Sequence, residues 1–183
     1  MTYKLFGYDN KMPEKTFAEM YDIMEYSFPK DERRDRDEQR KIAKKAAFGV
    51  MTAEENGAVI GFMTFWALSG CVYIEHFAIA HELRGKGLGA EMIKRFCERF
   101  DGRRIVLEAE PPELNEIAAR RVGFYNRLGF ALNGYSYRQP PYRKGGNPVE
   151  LKIMSFGEPL SEDDFRDVKR LLYSDVYGVC EQN

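Results

Sequence analysis

Three glycines at alternate positions, Gly85, Gly87 and Gly89, separate a run of strand-forming residues from an amphipathic helix, and no other stretch limits the fold as tightly. Upstream lies Val72-Tyr73-Ile74-Glu75-His76-Phe77-Ala78-Ile79-Ala80, which reads as a strand. Downstream, Leu88, Met92, Ile93, Phe96, Cys97 and Phe100 recur on one helical face. Glycine at such a junction lets the backbone approach a ligand closely and turns several N–H groups the same way. The helix start adds a partial positive charge worth about 0.3–1 kcal/mol, rising to about 2 where partly buried. Arg84 and Lys86 add full charges. Arg84 to Ala90 therefore reads as an anion site suited to a phosphate or pyrophosphate. The dinucleotide fingerprint needs GxGxxG and the nucleotide P-loop needs GxxxxGK followed by Ser or Thr, and this loop has the spacing of neither. A tight strand-to-helix turn with no ligand is the competing reading.

The flanking sequence predicts a mixed α/β chain. Phe17, Met20, Tyr21, Met24 and Phe28 give a first helix over roughly 14–27, stopped by Pro29. The charge-dense 30–40 stretch reads as a loop leading into a polar helix that ends near Ala47. Two apolar runs, Phe48–Thr52 and Ala58–Trp66, flank Asn56-Gly57 and predict a β-hairpin. A short strand over 104–110 stops at Pro111-Pro112. A helix follows over about 114–128, closed by Gly129. Strands near 130–138 and 149–155 come next, and Ser161-Glu162-Asp163-Asp164 reads as a capping box opening a last helix.

Arg84-x-x-Gly87-x-Gly89 resembles the glycine motif of the GCN5-related N-acetyltransferase (GNAT) superfamily. Tyr125-Asn126-Arg127-Leu128-Gly129-Phe130 is similar to that family's second signature, an aromatic-ended helix followed by Leu-Gly-Phe. The likeness covers about residues 48–135 well. It implies a single-domain α/β fold with a mixed, mostly antiparallel twisted sheet flanked by helices and a V-shaped split between two central parallel strands. Residues 1–157 would form that domain and 158–183 a helical extension packed on it. The resemblance also implies acetyl-CoA as co-substrate, lying in the opening between the strands at 72–80 and 104–110. Its pyrophosphate would sit on the amides of Gly85, Lys86, Gly87, Leu88, Gly89 and Ala90, beside Arg84. Backbone groups of Phe77, Ala78 and Ile79 would hold the pantetheine like an added strand. Tyr125 falls where the family places an acid for the departing thiolate, and Asn115 where an asparagine contacts the cofactor. Arg120 and Arg121 either contact the cofactor phosphates or form a solvated face.

Acetyl transfer to nitrogen needs a neutral amine, and an alkylamine of pKa about 10.4 is neutral only about once in 2,500 at pH 7. A general base is worth roughly 10²–10⁴-fold. Glu75, a carboxylate in an apolar strand, is the candidate base; a structural ion pair is its alternative. His76 must point to the opposite face of a regular strand, as a satisfied core histidine does. Glu108 is a second carboxylate that could share the role. Cys97 lies on an apolar helix face and reads as packing, so direct attack in a ternary complex is expected, without an acyl-cysteine.

For the acceptor, the resemblance points to Phe28, Pro29, Glu32 and Arg33 on one wall, and to Tyr135–Tyr142, with Tyr137 and Tyr142, on the other. The aromatic cluster either encloses an amine by cation–π contact or is ordinary strand packing. The expected acceptor is a small-molecule or peptide amine. A catalytically silent acyl-CoA-binding sensor or assembly module is the second functional reading. A net charge of −1 gives no basic excess for nucleic acid. No apolar run of membrane-spanning length and no signal-peptide pattern occurs. Cys71, Cys97 and Cys180 are odd in number and widely spaced, and neither they nor His76 and His81 show metal-ligand spacing. The expectation is a cytoplasmic, metal-free monomer or homodimer.

Overall fold

The computed structural model describes residues 1–7, 9–143 and 145–179, so Cys180 lies outside the described residues. The fold is mixed α/β, with mostly antiparallel strands flanked by helices. The chain divides into two compact units: Met1–Ala67 with Ile74–Arg99, and Leu68–Tyr73 with Phe100–Asn183.

In the first unit the strand order is β1 (Thr2–Phe6), β2 (Phe48–Glu55), β3 (Ala58–Ala67) and, from Ile74 onward, β4 (Val72–Ile79). The first three are antiparallel, with Phe6 opposite Val50 and Phe48 opposite Trp66. Asn56 and Gly57 both take positive φ, 51° and 77°, as the favoured two-residue hairpin turn demands. Gly49 leaves room for the ring of Phe65, which a Cβ there would strike. That ring packs edge-on against Phe96 at 5.1 Å. Helix α1 (Glu14–Ser27) buries Phe17, Met20, Tyr21, Ile23 and Met24 and packs on β3. Helix α3 (Leu88–Arg99) buries Leu88, Met92, Ile93, Phe96 and Cys97.

Two expectations need correction here. Strand β1 has no counterpart in the sequence reading, because its polar–apolar alternation is only five residues long and Phe6 alone is buried. The polar helix lies earlier than expected: α2 spans Arg36–Ile42 and the residues after it form turns. Asp35 sets its start by accepting from the Glu38 N–H at 2.8 Å, a cap hidden within a dense run of charges.

In the second unit β8 (Val149–Phe156) is the hub. It pairs antiparallel with β5 (Ile105–Ala109), β6 (Phe130–Leu132) and β7 (Tyr137–Gln139). Leu68–Tyr73 joins this unit through the Val72 N–H to the Arg104 carbonyl (2.7 Å) and Arg103 to the Leu68 carbonyl (2.6 Å). The single strand expected over 130–138 is two strands. Buried Asn133 interrupts it: its side-chain amide donates to the Ile153 carbonyl and the Ser155 hydroxyl, and its Oδ1 accepts from the Leu160 N–H. Helix α4 spans Glu116–Arg127. Helix α5 (Glu162–Leu171) starts at Ser161, whose hydroxyl accepts from the Asp164 N–H as the capping box requires. It continues as a π-helical turn, Leu172–Tyr177, ended by Gly178 at φ 66°, which the periodicity did not foretell. No helix among the described residues is long and apolar enough to cross a membrane.

Candidate active site

The glycine loop follows a 3₁₀ turn at His81–Leu83. Gly85 and Gly87 have φ of 77° and 83°, in the left-handed region that favours glycine. A Cβ at either would meet nothing within 4 Å, so the loop faces open space. The first intrahelical bond runs from the Glu91 N–H to the Gly87 carbonyl. The N–H groups of Leu88, Gly89 and Ala90 precede it, as in the orphan first turn of any helix. Leu88 is buried and fixes the helix start, while Gly85, Lys86 and Gly87 are exposed. Arg84 is partly committed: Nε donates to the Ile79 carbonyl at 3.0 Å and its guanidinium to the Ser27 hydroxyl at 3.1 Å. It ties the loop to the end of β4 and to α1. The loop residues fit an anionic ligand: open backbone, first-turn N–H groups and an exposed Lys86.

In β4, Phe77 is half-buried and Ala78 and Ile79 are buried. The Glu75 side chain is fully buried, and its Oε1 accepts from Arg34 at 2.6 Å. Burial alone would raise the Glu75 carboxyl, but Arg34 and His76 beside it pull it down to about 2. Thr64 reaches Glu75 Oε2 at 3.5 Å and His76 Nδ1 at 3.3 Å, and its Oγ1 accepts from the His76 N–H. His76 Nε2 lies 2.9 Å from the Glu32 carbonyl, and Phe28 packs edge-on against the imidazole at 4.9 Å. The structure thus gathers the Phe28 ring, the Glu32 main-chain carbonyl and Glu75 around His76. Buried Arg33 is used locally, donating to the Phe28 carbonyl, the Tyr21 hydroxyl and Glu25.

The second unit holds Asn115, Tyr125, Tyr137 and Tyr142. Asn115 caps α4, its Oδ1 accepting from the Ala118 N–H at 2.8 Å. Arg120 pairs with Glu116 and Arg121 with Glu110, which gives both a surface role. Tyr125 is buried against Phe124 and Phe130. Its hydroxyl has no hydrogen-bond partner among the described residues. Burial raises it to about 12, Arg121 opposing, so the phenol keeps its proton. Gly129, in the Leu-Gly-Phe signature, turns the chain at φ 90°.

Tyr137 gathers with Glu108 rather than with Tyr125. Glu108 accepts from Tyr73 (2.7 Å), Tyr177 (2.8 Å), Gln139 (2.7 Å) and Tyr137. Burial lifts the Glu108 carboxyl above its ordinary value despite these donors. Tyr142 packs against Tyr177 at 5.4 Å between centroids. Sequence reasoning missed Arg34, Thr64, Tyr73 and Tyr177, whereas Gln139 lies in the Tyr135–Tyr142 stretch it pointed to. Arg34 stood in a charge-dense stretch with no mark to distinguish it, and the partners of Glu108 come from separate segments. Cys71 and Cys97 are buried, which pushes their thiols up to about 11 and 12. Neither offers a thiolate near neutrality.

The sequence model of the Acetyltransferase (GNAT) family matches residues 16–130. A solved structure from Bacteroides thetaiotaomicron, assigned to GNAT-family acetyltransferases, is 32% identical, with a TM-score of 0.87, over 98% of this chain and 99% of that one. The Escherichia coli ribosomal-protein-S18-alanine N-acetyltransferase is 14% identical, with a TM-score of 0.63, over 88% and 97%. An aminoglycoside 6'-N-acetyltransferase complexed with coenzyme A is 12% identical, with a TM-score of 0.64, over 88% and 100%. These last two show likeness of fold alone. No curated protein matches the chain in sequence.

Proposed function

The chain belongs to the acetyltransferase (GNAT) family, and on that premise we propose that it moves the acetyl group of acetyl-CoA to a primary amine by direct attack in a ternary complex. The observation that carries this reading is the glycine loop: two open left-handed glycines feeding the uncommitted first turn of α3, with Lys86 exposed beside them. We assign the diphosphate to the N–H groups of residues 85–90 and the pantetheine arm to the backbone of Phe77, Ala78 and Ile79. Asn115 keeps its amide N–H groups for a polar contact while Oδ1 caps α4. When bound, acetyl-CoA supplies the activated acetyl group.

Tyr125 is the proposed acid. A phenol held at about 12, with its hydroxyl uncommitted, remains protonated and meets the acid's requirement near neutrality. The reading of Glu75 as base is revised. A carboxyl held near 2 by a buried guanidinium has little affinity for an ammonium proton. Glu75 is instead a positioning residue, fixing Arg34, Thr64 and His76, and the attacking amine is the neutral fraction that the solvent pH sets. Protonated Cys71 and Cys97 fit direct transfer.

A silent acyl-CoA-binding module is favoured by one observation, the engagement of Glu75 in an ion pair. One measurement tests the cofactor assignment that both readings share, and a second separates them. Acetyl-CoA is expected to raise the melting temperature, and the absence of a shift removes the cofactor assignment. Amine-dependent thiol release is expected of the enzyme; acetyl-CoA binding without release over a broad amine panel leaves only the module.

A further inference from the structure

The glycine loop has little within itself to hold its shape. Gly85, Gly87 and Gly89 free its backbone, and Gly85, Lys86 and Gly87 are exposed. A ligand that must first order a flexible cradle binds it more weakly, so N–H groups meant to converge on an anion need a brace from outside. Among the described residues, the side-chain hydrogen bonds of the 84–90 stretch all come from Arg84. Its Nε donates to the Ile79 carbonyl at 3.0 Å, back across the 3₁₀ turn that Arg84 ends, and its Nη2 donates to the Ser27 hydroxyl at 3.1 Å. Both supports are fixed. Ile79 is buried, and the next residue, Ala80, donates its N–H to the Ile60 carbonyl at 2.9 Å. Ser27 ends α1, which packs on β3. The Tyr26 phenol lies by the same turn, close enough to feel the His81 main chain, Glu82 and Arg84. Ser27, Ile79 and Arg84 belong to one compact unit. Two bonds in different directions fix the plane of a guanidinium, which a lysine ammonium cannot reproduce.

We infer that Arg84 acts on the cofactor as a positioning residue with Ser27 as its partner: the guanidinium braces the glycine loop between the end of β4 and the end of α1, and supplies the geometry of the loop's N–H groups rather than charge for the diphosphate. The diphosphate charge is then met by those N–H groups and by Lys86. Ser27, 57 positions away from Arg84, becomes part of the affinity for the cofactor. A brace and a charge contact differ in what can replace Arg84, because lysine keeps the charge and loses the fork. The inference rests on the acetyl-CoA reading of the loop and is separable from it.

The test is titration calorimetry of acetyl-CoA against the full chain and its Arg84→Lys, Arg84→Ala, Ser27→Ala and Ser27→Thr variants, at low and high salt. Arg84→Lys is expected to lose nearly as much affinity as Arg84→Ala, about tenfold or more. The wild-type-to-variant ratio is expected to hold at both salt concentrations, since salt screens an exposed charge contact and not a hydrogen-bonded brace. Ser27→Ala is expected to weaken binding by about two- to tenfold, the size of one hydrogen bond. Ser27→Thr keeps the hydroxyl and is expected to restore it. Ser27→Ala is expected to add nothing once residue 84 is alanine, as for two partners in one interaction. The Ser27 variants carry the test if an Arg84 variant does not fold. Wild-type affinity in Arg84→Lys, a loss in Arg84→Ala that fades at high salt, or wild-type affinity in Ser27→Ala overturns the brace while leaving the cofactor assignment standing. A wild-type protein that binds no acetyl-CoA overturns the cofactor assignment, and the brace falls with it.

Discussion

Glu75→Gln separates two accounts of the same carboxylate. The Arg34 and Glu75 side chains are 7% and 0% exposed and 2.6 Å apart. Glutamine keeps the shape but removes the carboxylate that faces the buried Arg34 guanidinium, and breaking a buried ion pair costs about 3–5 kcal/mol. The titration gives a similar size. A fall from the ordinary 4.5 to about 2 corresponds to roughly 3 kcal/mol, at about 1.4 kcal/mol per pH unit. The sign follows from the direction: the folded value is lower, so the contribution is full above 4.5 and is lost as pH falls from there toward 2. Since a domain's whole stability is about 5–15 kcal/mol, the effect is large. The assay is urea unfolding of wild type and Glu75→Gln, at neutral pH and near pH 3. The expected result is a strongly destabilised variant at neutral pH, with the gap narrowing in acid. A variant as stable as wild type, with a turnover deficit that high pH repairs, would refute the positioning role and restore Glu75 as base.

Other substitutions probe the rest. Tyr125→Phe is expected to lower kcat by about 10²-fold or more if the phenol is the acid, with acetyl-CoA affinity by calorimetry nearly unaltered; an unchanged kcat removes that role. Gly87→Glu places a side chain and a negative charge in the open loop at φ 83° and is expected to abolish the acetyl-CoA melting shift; a retained shift places the diphosphate elsewhere. Gly49→Ala forces the Phe65 ring off Phe96 and is expected to cost about 1–3 kcal/mol in urea unfolding; wild-type stability would mean that the ring relaxes freely.

Features written in neighbouring residues were legible in the sequence. Asn56-Gly57 specifies its own hairpin turn, the apolar spacing of α1 and α3 specifies their buried faces, and Ser161 specifies the start of α5. The glycine loop was legible for the same reason: strand, glycines and helix are contiguous. What escaped depends on residues far apart in the chain. Arg34 meets Glu75 across 41 positions and Tyr177 meets Glu108 across 69, and no local pattern marks either pair. The pair at Glu75 changed the chemistry read from the sequence, because an acidic residue in an apolar strand looks the same whether it is a base or half of an ion pair. The β6–β7 break was hidden similarly, since Asn133 is sealed by Ile153, Ser155 and Leu160.

The most direct test of the central claim is the rate of coenzyme A thiol release from acetyl-CoA, with and without a panel of primary amines. Amine-dependent release with matching acetylated product is the predicted result. A protein that binds acetyl-CoA yet releases thiol no faster with any amine than with buffer would contradict it.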